Sequence, residues 1–409
     1  MKICLGFVLI AFAVLSSTPV VASDADELTA IKRDLARLMA RVEVLEQANQ
    51  ALRTEQARVD QAAASPAPRT SDAQSGGQPL LSWRGDVRYR YEAFDIDQKD
   101  DRERNRLRAR VGLTAAVSDT LDMVVGLASG SDDPVSSNQT LGSAGTTKRL
   151  GLDQAYFSWQ INDALNLKAG KIKNVWFKPV KSELLWDNDY NPEGVALSYA
   201  SRGFFGHAAV NWLESDTRSG QAFAAGVQAG WRTSLGDYDL TAGAGYHDVG
   251  VADHEAFLGG DDFFGNQTLC QDSGCVYSHD YEQVQIFTML GGRWLEQPLT
   301  VYFEAVENLA LDAQNQGWSA GFKIGKASKP RTWELGYQYE DLEADAVFGL
   351  TAGSDFGGGG TNIKGHIVRG GWAVTKGWKL GLTYFNNETD LDGAQQGYQR
   401  LQLDSQIKF

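Results

Sequence analysis

The sequence predicts an all-β membrane protein, a 16-stranded antiparallel transmembrane β-barrel preceded by an α-helical coiled coil. Segments of about ten residues with alternating polarity recur from Leu81 onward, and the connections between them are alternately tight and long. Short turns alternating with long loops around an even number of strands are typical of bacterial outer-membrane barrels. The terminal strand supports the same fold class, because it is apolar on one face and polar on the other.

That terminal strand, RLQLDSQIKF, places Leu401, Leu403, Ile407 and Phe409 on one parity and polar residues on the other. In a barrel the apolar parity faces lipid and the polar parity faces water. The aromatic residue Phe409 at the free carboxyl end is similar to the signal read by the assembly machinery of the Gram-negative outer membrane. We therefore expect an outer-membrane protein that contacts this machinery, lipid and lipopolysaccharide.

The amino terminus predicts secretion. Residues 1–22 comprise Met1 and Lys2, an apolar run, and small residues placed for cleavage before Ser23, which together are typical of a signal peptide. No later segment contains 18 uninterrupted apolar residues. Any crossing of the membrane is therefore expected to use strands.

Residues 24–60 carry a heptad pattern that predicts a periplasmic coiled coil. Arg41 at a g position and Glu46 at the following e position have the spacing of a trimer-favouring motif, in which they would pair between chains. A single surface helix with an apolar stripe is the alternative. Residues 61–79, rich in Ala, Ser, Pro, Gly and Gln, predict a flexible linker, and residues 80–409 the barrel.

Sixteen strands are predicted in the barrel. Their ranges are 81–92, 105–117, 121–130, 151–161, 165–172, 194–201, 204–213, 222–233, 238–246, 283–294, 299–306, 317–326, 331–341, 363–374, 378–387 and 399–409.

The formal charge of -14 argues against a nucleic-acid partner, because phosphate would repel a strongly acidic chain. The sequence contains five histidines, none of which forms a metal-spaced pair or a nucleophile motif with Ser or Cys. We therefore expect neither an enzyme nor a bound metal or cofactor.

Several sequence blocks between residues 85 and 198 resemble the proteobacterial "putative porin" family: GDVRYRYE, RNRLRARVGL, PVSSNQTLG, LDQAYFSW and LLWDNDYNPEGVAL. The second half of the barrel matches mainly in its strand pattern and its terminal Phe. The resemblance implies a homotrimeric outer-membrane porin that lets small polar or ionic solutes diffuse through a water-filled channel. The alternative from another class is a structural anchor, in which the coiled coil reaches a periplasmic or cell-wall partner.

The first two strands carry the most distinctive residues. Arginines fall on one parity of each strand, opposite apolar residues, at Arg84, Arg88, Arg90, Arg106, Arg108 and Arg110. An arginine at the lipid midplane would cost about 2–4 kcal/mol, so this face is predicted to line the lumen. A hairpin that is symmetric about Gln98 would place Arg90 opposite Arg106 and Arg88 opposite Arg108.

The third long loop, residues 173–193, offers Glu183, Asp187, Asp189 and Glu193. In general porins this loop folds into the barrel and narrows the channel, whereas a solvated loop is the alternative here. If the loop folds inward, its carboxylates either dock against the arginines and neutralise them, or face them across water and create a transverse field. The sequence leaves both arrangements open.

Cys270 and Cys275 lie in a loop assigned to the oxidising exterior. No metal-ligating residues accompany them, so they are predicted to form a local disulfide.

Overall fold

The computed structural model describes residues 80–216, 220–259, 262–272, 274–390 and 395–409. The predicted signal peptide, the coiled coil with Arg41 and Glu46, and the linker lie outside the described residues.

Residues of the described part form a closed barrel of sixteen antiparallel strands, which confirms the predicted barrel. The strands are β1 (Leu80–Ile96), β2 (Arg102–Ala116), β3 (Leu121–Ser129), β4 (Leu150–Asn162), β5 (Leu165–Lys171), β6 (Glu193–Ser201), β7 (Phe204–Glu214), β8 (Ala222–Leu235), β9 (Tyr238–Gly250), β10 (Tyr281–Trp294), β11 (Gln297–Asn308), β12 (Gln316–Gly325), β13 (Trp333–Leu342), β14 (Ile363–Thr375), β15 (Trp378–Thr389) and β16 (Gln396–Lys408).

Each predicted strand overlaps one of these, and the differences are at the strand ends. β1, for example, continues to Ile96 because its last residues still pair with β16, as far as Tyr398. Polarity alternation marks only the membrane-spanning part of a strand. The pairing that extends beyond the membrane therefore leaves a weaker signal in the sequence.

Alternate side chains of β1 lie on opposite faces of the barrel wall. Trp83 and Val87 are 65% and 45% exposed on the outer face, where lipid would meet them, whereas Arg90 on the inner face is 5% exposed. The same alternation continues in β16, where Leu403 is exposed and Gln402 is buried. An apolar outer surface around a polar interior is the arrangement that a membrane barrel requires.

β1 and β16 close the barrel. The backbones of Gly85 and Phe409 exchange two hydrogen bonds of 3.1 Å each, so the terminal residue is part of the seam. Gly85 also has no space for a side chain, because an added Cβ would contact the Phe409 ring and lie 2.7 Å from the carbonyl oxygen of Arg110.

The connections at one end of the barrel are mostly short turns, and the longest connections lie at the other end. Three of the long connections are important below: L2 (residues 130–149), L3 (172–192) and L7 (343–362). L2 contains a two-residue strand, Gln139–Thr140, that pairs with β2, and a 3-10 helix, Ser143–Gly145. L3 and L7 contain the 3-10 helices Pro179–Lys181 and Gly349–Thr351.

The long connection after β9 carries a separate hairpin of Thr268–Gln271 and Gly274–Tyr277. The structure joins Cys270 and Cys275 across this hairpin in a disulfide, the pairing that the sequence predicts. Among the described residues, no helix is both long and apolar enough to cross a membrane.

Replacing Gly85 by Ala is expected to destabilise the seam by about 1–3 kcal/mol, because the Phe409 ring or the Arg110 backbone must move. Samples incubated at increasing temperatures and separated by gel electrophoresis without boiling give the temperature at which the folded band disappears, which measures this effect. Gly370→Ala is the matched control, since an added Cβ on this β14 residue meets no atom within 4 Å. Equal melting temperatures for the two variants would contradict the tight contact at the seam.

Candidate functional site

The inner face of β1, β2 and β16 carries nine arginines, which we call the arginine wall. Six are those singled out in the sequence, and the wall comprises Arg84, Arg88, Arg90, Arg102, Arg104, Arg106, Arg108, Arg110 and Arg400. The predicted register is confirmed: Arg88 lies opposite Arg108 and Arg90 opposite Arg106. Like charges directly opposite one another are unfavourable in a sheet, so this register needs compensation.

Carboxylates within the same three strands supply part of that compensation. Asp86 accepts hydrogen bonds of 2.9 Å from both Arg108 and Arg110. Asp404 accepts from Arg90 at 2.7 and 2.9 Å. Behind them, the fully buried carboxylate of Glu92 forms ion pairs with Arg104 and Arg400.

L3 crosses the lumen, and its apolar side chains hold it against the wall opposite the arginines. Trp176, Leu185 and Trp186 are buried, and they pack with residues of β6, β7, β11 and β13 in one hydrophobic cluster. The backbone of Phe177 exchanges hydrogen bonds of 2.7 and 3.0 Å with the side chain of Gln228 on β8. The structure therefore places the third long loop inside the barrel, the arrangement seen in general porins.

Asp189 is the L3 carboxylate that reaches the arginine wall. It accepts a 2.9 Å hydrogen bond from Arg110, lies 3.6 Å from a nitrogen of Arg108, and accepts a hydrogen bond of 3.0 Å from Ser137 of L2. Burial raises the pKa of Asp189, but the charges of Arg108 and Arg110 outweigh this effect and lower the pKa below its usual value. Asp189 therefore stays ionised and docks L3 on the wall.

Glu183 and Asp187, which are also predicted to face the arginines, have other hydrogen-bond partners. Glu183 accepts hydrogen bonds from the backbone and side chain of Asn188 within L3. Asp187 accepts from the backbone N–H groups of Asp189 and Ser354, at 2.7 and 2.9 Å, and so joins L3 to L7. Burial, followed by the charges of Glu183 and Asp189, raises the pKa of Asp187 well above its usual value.

Glu193 differs from its predicted position in the constriction loop. It begins β6 on the parity of Val195 and Leu197, which are exposed on the outer face. Its carboxylate pairs with Lys171 at 3.1 Å. Strand periodicity continues through residue 193, so this carboxylate points away from the lumen.

The site also contains residues that the sequence analysis did not single out. Asp355 of L7 lies 3.0 Å from Arg90 and 2.8 Å from Arg400, so L7 is a second loop that docks on the wall. L3 also presents the exposed side chains of Lys173 and Lys181. The glycine-rich run of L7 could have indicated a folded loop, but not which residues it contacts.

Four arginines of the wall have no carboxylate closer than 3.9 Å among the described residues. Arg102 is exposed and lies over the Phe94 ring, 5.7 Å from its centroid. Arg84 donates to Gln154 at 3.4 Å. Arg88 donates to Asn138 at 2.6 Å, with Asp404 3.9 Å away. Arg106 makes only long hydrogen bonds, of 3.5 Å to Ser136 and 3.4 Å to the Asn138 carbonyl.

The wall therefore keeps a positive charge after its pairs are counted. Nine arginines face five carboxylates, which leaves four positive charges, and the five are Asp86, Glu92, Asp189, Asp355 and Asp404.

Residues 47–225 and 264–409 match the family described as "Putative porin". The chain belongs to this family. The match covers most of the barrel, and together with the sixteen-stranded fold it identifies an outer-membrane porin that forms a channel. No curated protein matched the sequence.

Solved structures of porins share the fold. OprB of Pseudomonas putida is 12% identical and has a TM-score of 0.56, with 80% of this chain and 94% of that chain covered. An engineered variant of the Rh. blastica porin is 12% identical with a TM-score of 0.50, covering 81% of this chain and all of that chain. At this identity the likeness is one of fold alone.

Replacing Asp189 by Asn is expected to free L3 from the arginine wall, at a cost of about 1–3 kcal/mol, because Arg108 and Arg110 lose a buried charged partner. Single-channel recordings of this porin should show a larger and noisier conductance. Asp132→Asn is the control, because this L2 carboxylate is 94% exposed and lies 3.7 Å from Arg149. If Asp189→Asn conducts like the control, the docking contact does not hold the loop.

Proposed function

We propose that this porin favours small anions over cations, and that the arginine wall sets the preference. The observation that carries the proposal is the excess of four positive charges on the wall after all its ion pairs are counted. Rings or ladders of arginine favour anions in pores, because the fixed charge replaces part of the hydration of the passing ion.

The position of L3 and L7 supports a route along this wall. Apolar residues of both loops pack against the strands opposite the arginines, where Gln285 and Glu304 are buried and hydrogen-bonded to each other at 2.6 Å. Because this packing occupies the side of the lumen opposite the arginines, we place the path of a solute next to the arginines.

The formal charge of the whole chain, -14, would suggest the opposite preference. Local charge decides, because screening at physiological salt acts over about 8 Å. Acidic residues on exposed loops are screened by the ions of bulk water, whereas charges on a low-dielectric wall act directly on an ion beside them.

Replacing both Arg84 and Arg88 by Gln is expected to shift the reversal potential in a salt gradient towards cation preference, because both arginines lack a close carboxylate. The shift should be larger at 10 mM than at 1 M salt, since the screening length falls from about 30 Å to about 3 Å. Arg293→Gln is the control, because this arginine lies at a short turn and pairs with Glu296 at 3.2 Å. An unchanged reversal potential in the double variant would refute the proposed role of the wall.

We also propose that the porin is a homotrimer, and that residues 24–60 form a periplasmic coiled coil that stabilises it. The support is the heptad pattern, with Arg41 and Glu46 placed to pair between chains.

Substituting Arg41 and Glu46 together by Ala is expected to lower the melting temperature of the trimer in detergent, because the interchain pairs are lost. Glu43→Ala is the control. Glu43 occupies a b position of the heptad, so this substitution removes one charge outside the a/d seam and leaves the pair of Arg41 and Glu46 intact. Native mass measurement of the full-length protein checks the assembly itself, and a monomer or dimer would rule out the trimer.

A further inference from the structure

At the long-loop end of the arginine wall, a cavity of about 330 Å³ lies between β1, β2, β16 and the loops L2 and L7. We infer that this cavity binds a small organic carboxylate that carries a flat apolar ring. Its volume is at the lower end of the range for small-molecule pockets, roughly 300–1,000 Å³. The inference rests on the proposed anion route, for which the cavity would be the first binding station.

One side of the cavity is basic. Four arginines line it, Arg102, Arg104, Arg106 and Arg400, against two aspartates, Asp133 and Asp355. With the buried Glu92 behind Arg104 and Arg400 counted as well, one positive charge remains.

The aspartates of the cavity already have partners. Both oxygens of Asp355 contact arginines, Arg90 at 3.0 Å and Arg400 at 2.8 Å. Asp133 accepts a backbone hydrogen bond of 2.9 Å from Val135. The one positive charge that remains on the cavity wall is therefore not paired with either aspartate.

Arg106 has the capacity to bind an anion. Its two hydrogen bonds are long, its buried Nε has no partner, and no carboxylate of the described residues lies within 4 Å of it. Arg102 at the mouth is exposed and likewise has no carboxylate neighbour in the described part of the chain. A planar guanidinium binds a carboxylate through two parallel hydrogen bonds, which suits this ligand class.

The other side of the cavity is apolar. Phe94, Phe264, Leu350 and Tyr398 line it, and the rings of Phe94 and Tyr398 meet edge to face with their centroids 6.2 Å apart. The guanidinium groups of Arg104 and Arg400 already lie over Phe94, at 4.9 and 5.0 Å from its centroid. An inorganic anion makes no apolar contact with this side of the cavity, whereas a ring packs against it.

Calorimetric titration of the full-length porin in detergent with benzoate, acetate and sulfate tests the inference. Benzoate is expected to bind at least about 10-fold more tightly than acetate or sulfate. Arg106→Gln should weaken benzoate binding by about 10-fold or more, because one charged hydrogen-bonding partner is lost. Phe94→Leu should weaken benzoate and leave acetate unchanged.

Arg293→Gln, at the opposite end of the barrel, is the control and should bind benzoate as the unmodified protein does. Only variants that show the folded band in gel electrophoresis without boiling are compared. Equal affinities for benzoate and acetate, or undiminished benzoate binding by folded Arg106→Gln, would overturn the inference.

Failure of this site and failure of the anion preference give different results. A porin whose reversal potential shows anion preference but which does not bind benzoate overturns the cavity alone. Benzoate binding that depends on Arg106, in a porin without anion preference, supports the cavity and overturns the proposed selectivity.

Discussion

The contact of the Asp189 carboxylate with Arg108 and Arg110 is the interaction on which the pore depends. The hairpin of β1 and β2 places arginines directly opposite one another, and Asp86 alone serves two of them. A carboxylate delivered from L3 relieves that repulsion and fixes the loop across the lumen at the same time. One ion-pair cluster therefore pairs charges of the wall and holds L3 in the lumen.

The contact is supported from behind by apolar packing. Trp176 and Trp186 of L3 are buried, with His247 of β9 at 4.7 and 5.2 Å between ring centroids. L7 adds backbone hydrogen bonds to L3 around Asp187, and its Asp355 pairs with the wall near the long-loop end of the barrel. Because both loops are anchored in this way, the charged groups of the pore are held in place before a solute enters, which is the condition for an electrostatic filter.

The sequence was sufficient for the barrel because side-chain alternation is a local property. Sixteen strands, the inward parity of the arginines and the pairing of Arg88 with Arg108 all follow from the period of two and one hairpin turn. Loop contacts depend on three-dimensional placement, so four carboxylates with similar spacing in the sequence have three different roles. Asp189 meets arginines, Glu183 and Asp187 bind backbone or amide groups, and Glu193 faces outward. Asp355 lies far along the chain and no local pattern connects it with Arg90.

A double-mutant cycle between Asp189→Asn and Arg110→Gln, measured as unfolding free energies in detergent, tests the central claim most directly. Close charge pairs give coupling energies of about 1.5 kcal/mol or more when they are shielded from water. The cycle between Asp189→Asn and Arg104→Gln is the reference, because Arg104 pairs with Glu92 and not with Asp189. We expect a coupling energy above about 1.5 kcal/mol for the first cycle and additivity for the second. Additivity in both cycles would contradict the docking of L3 on the arginine wall.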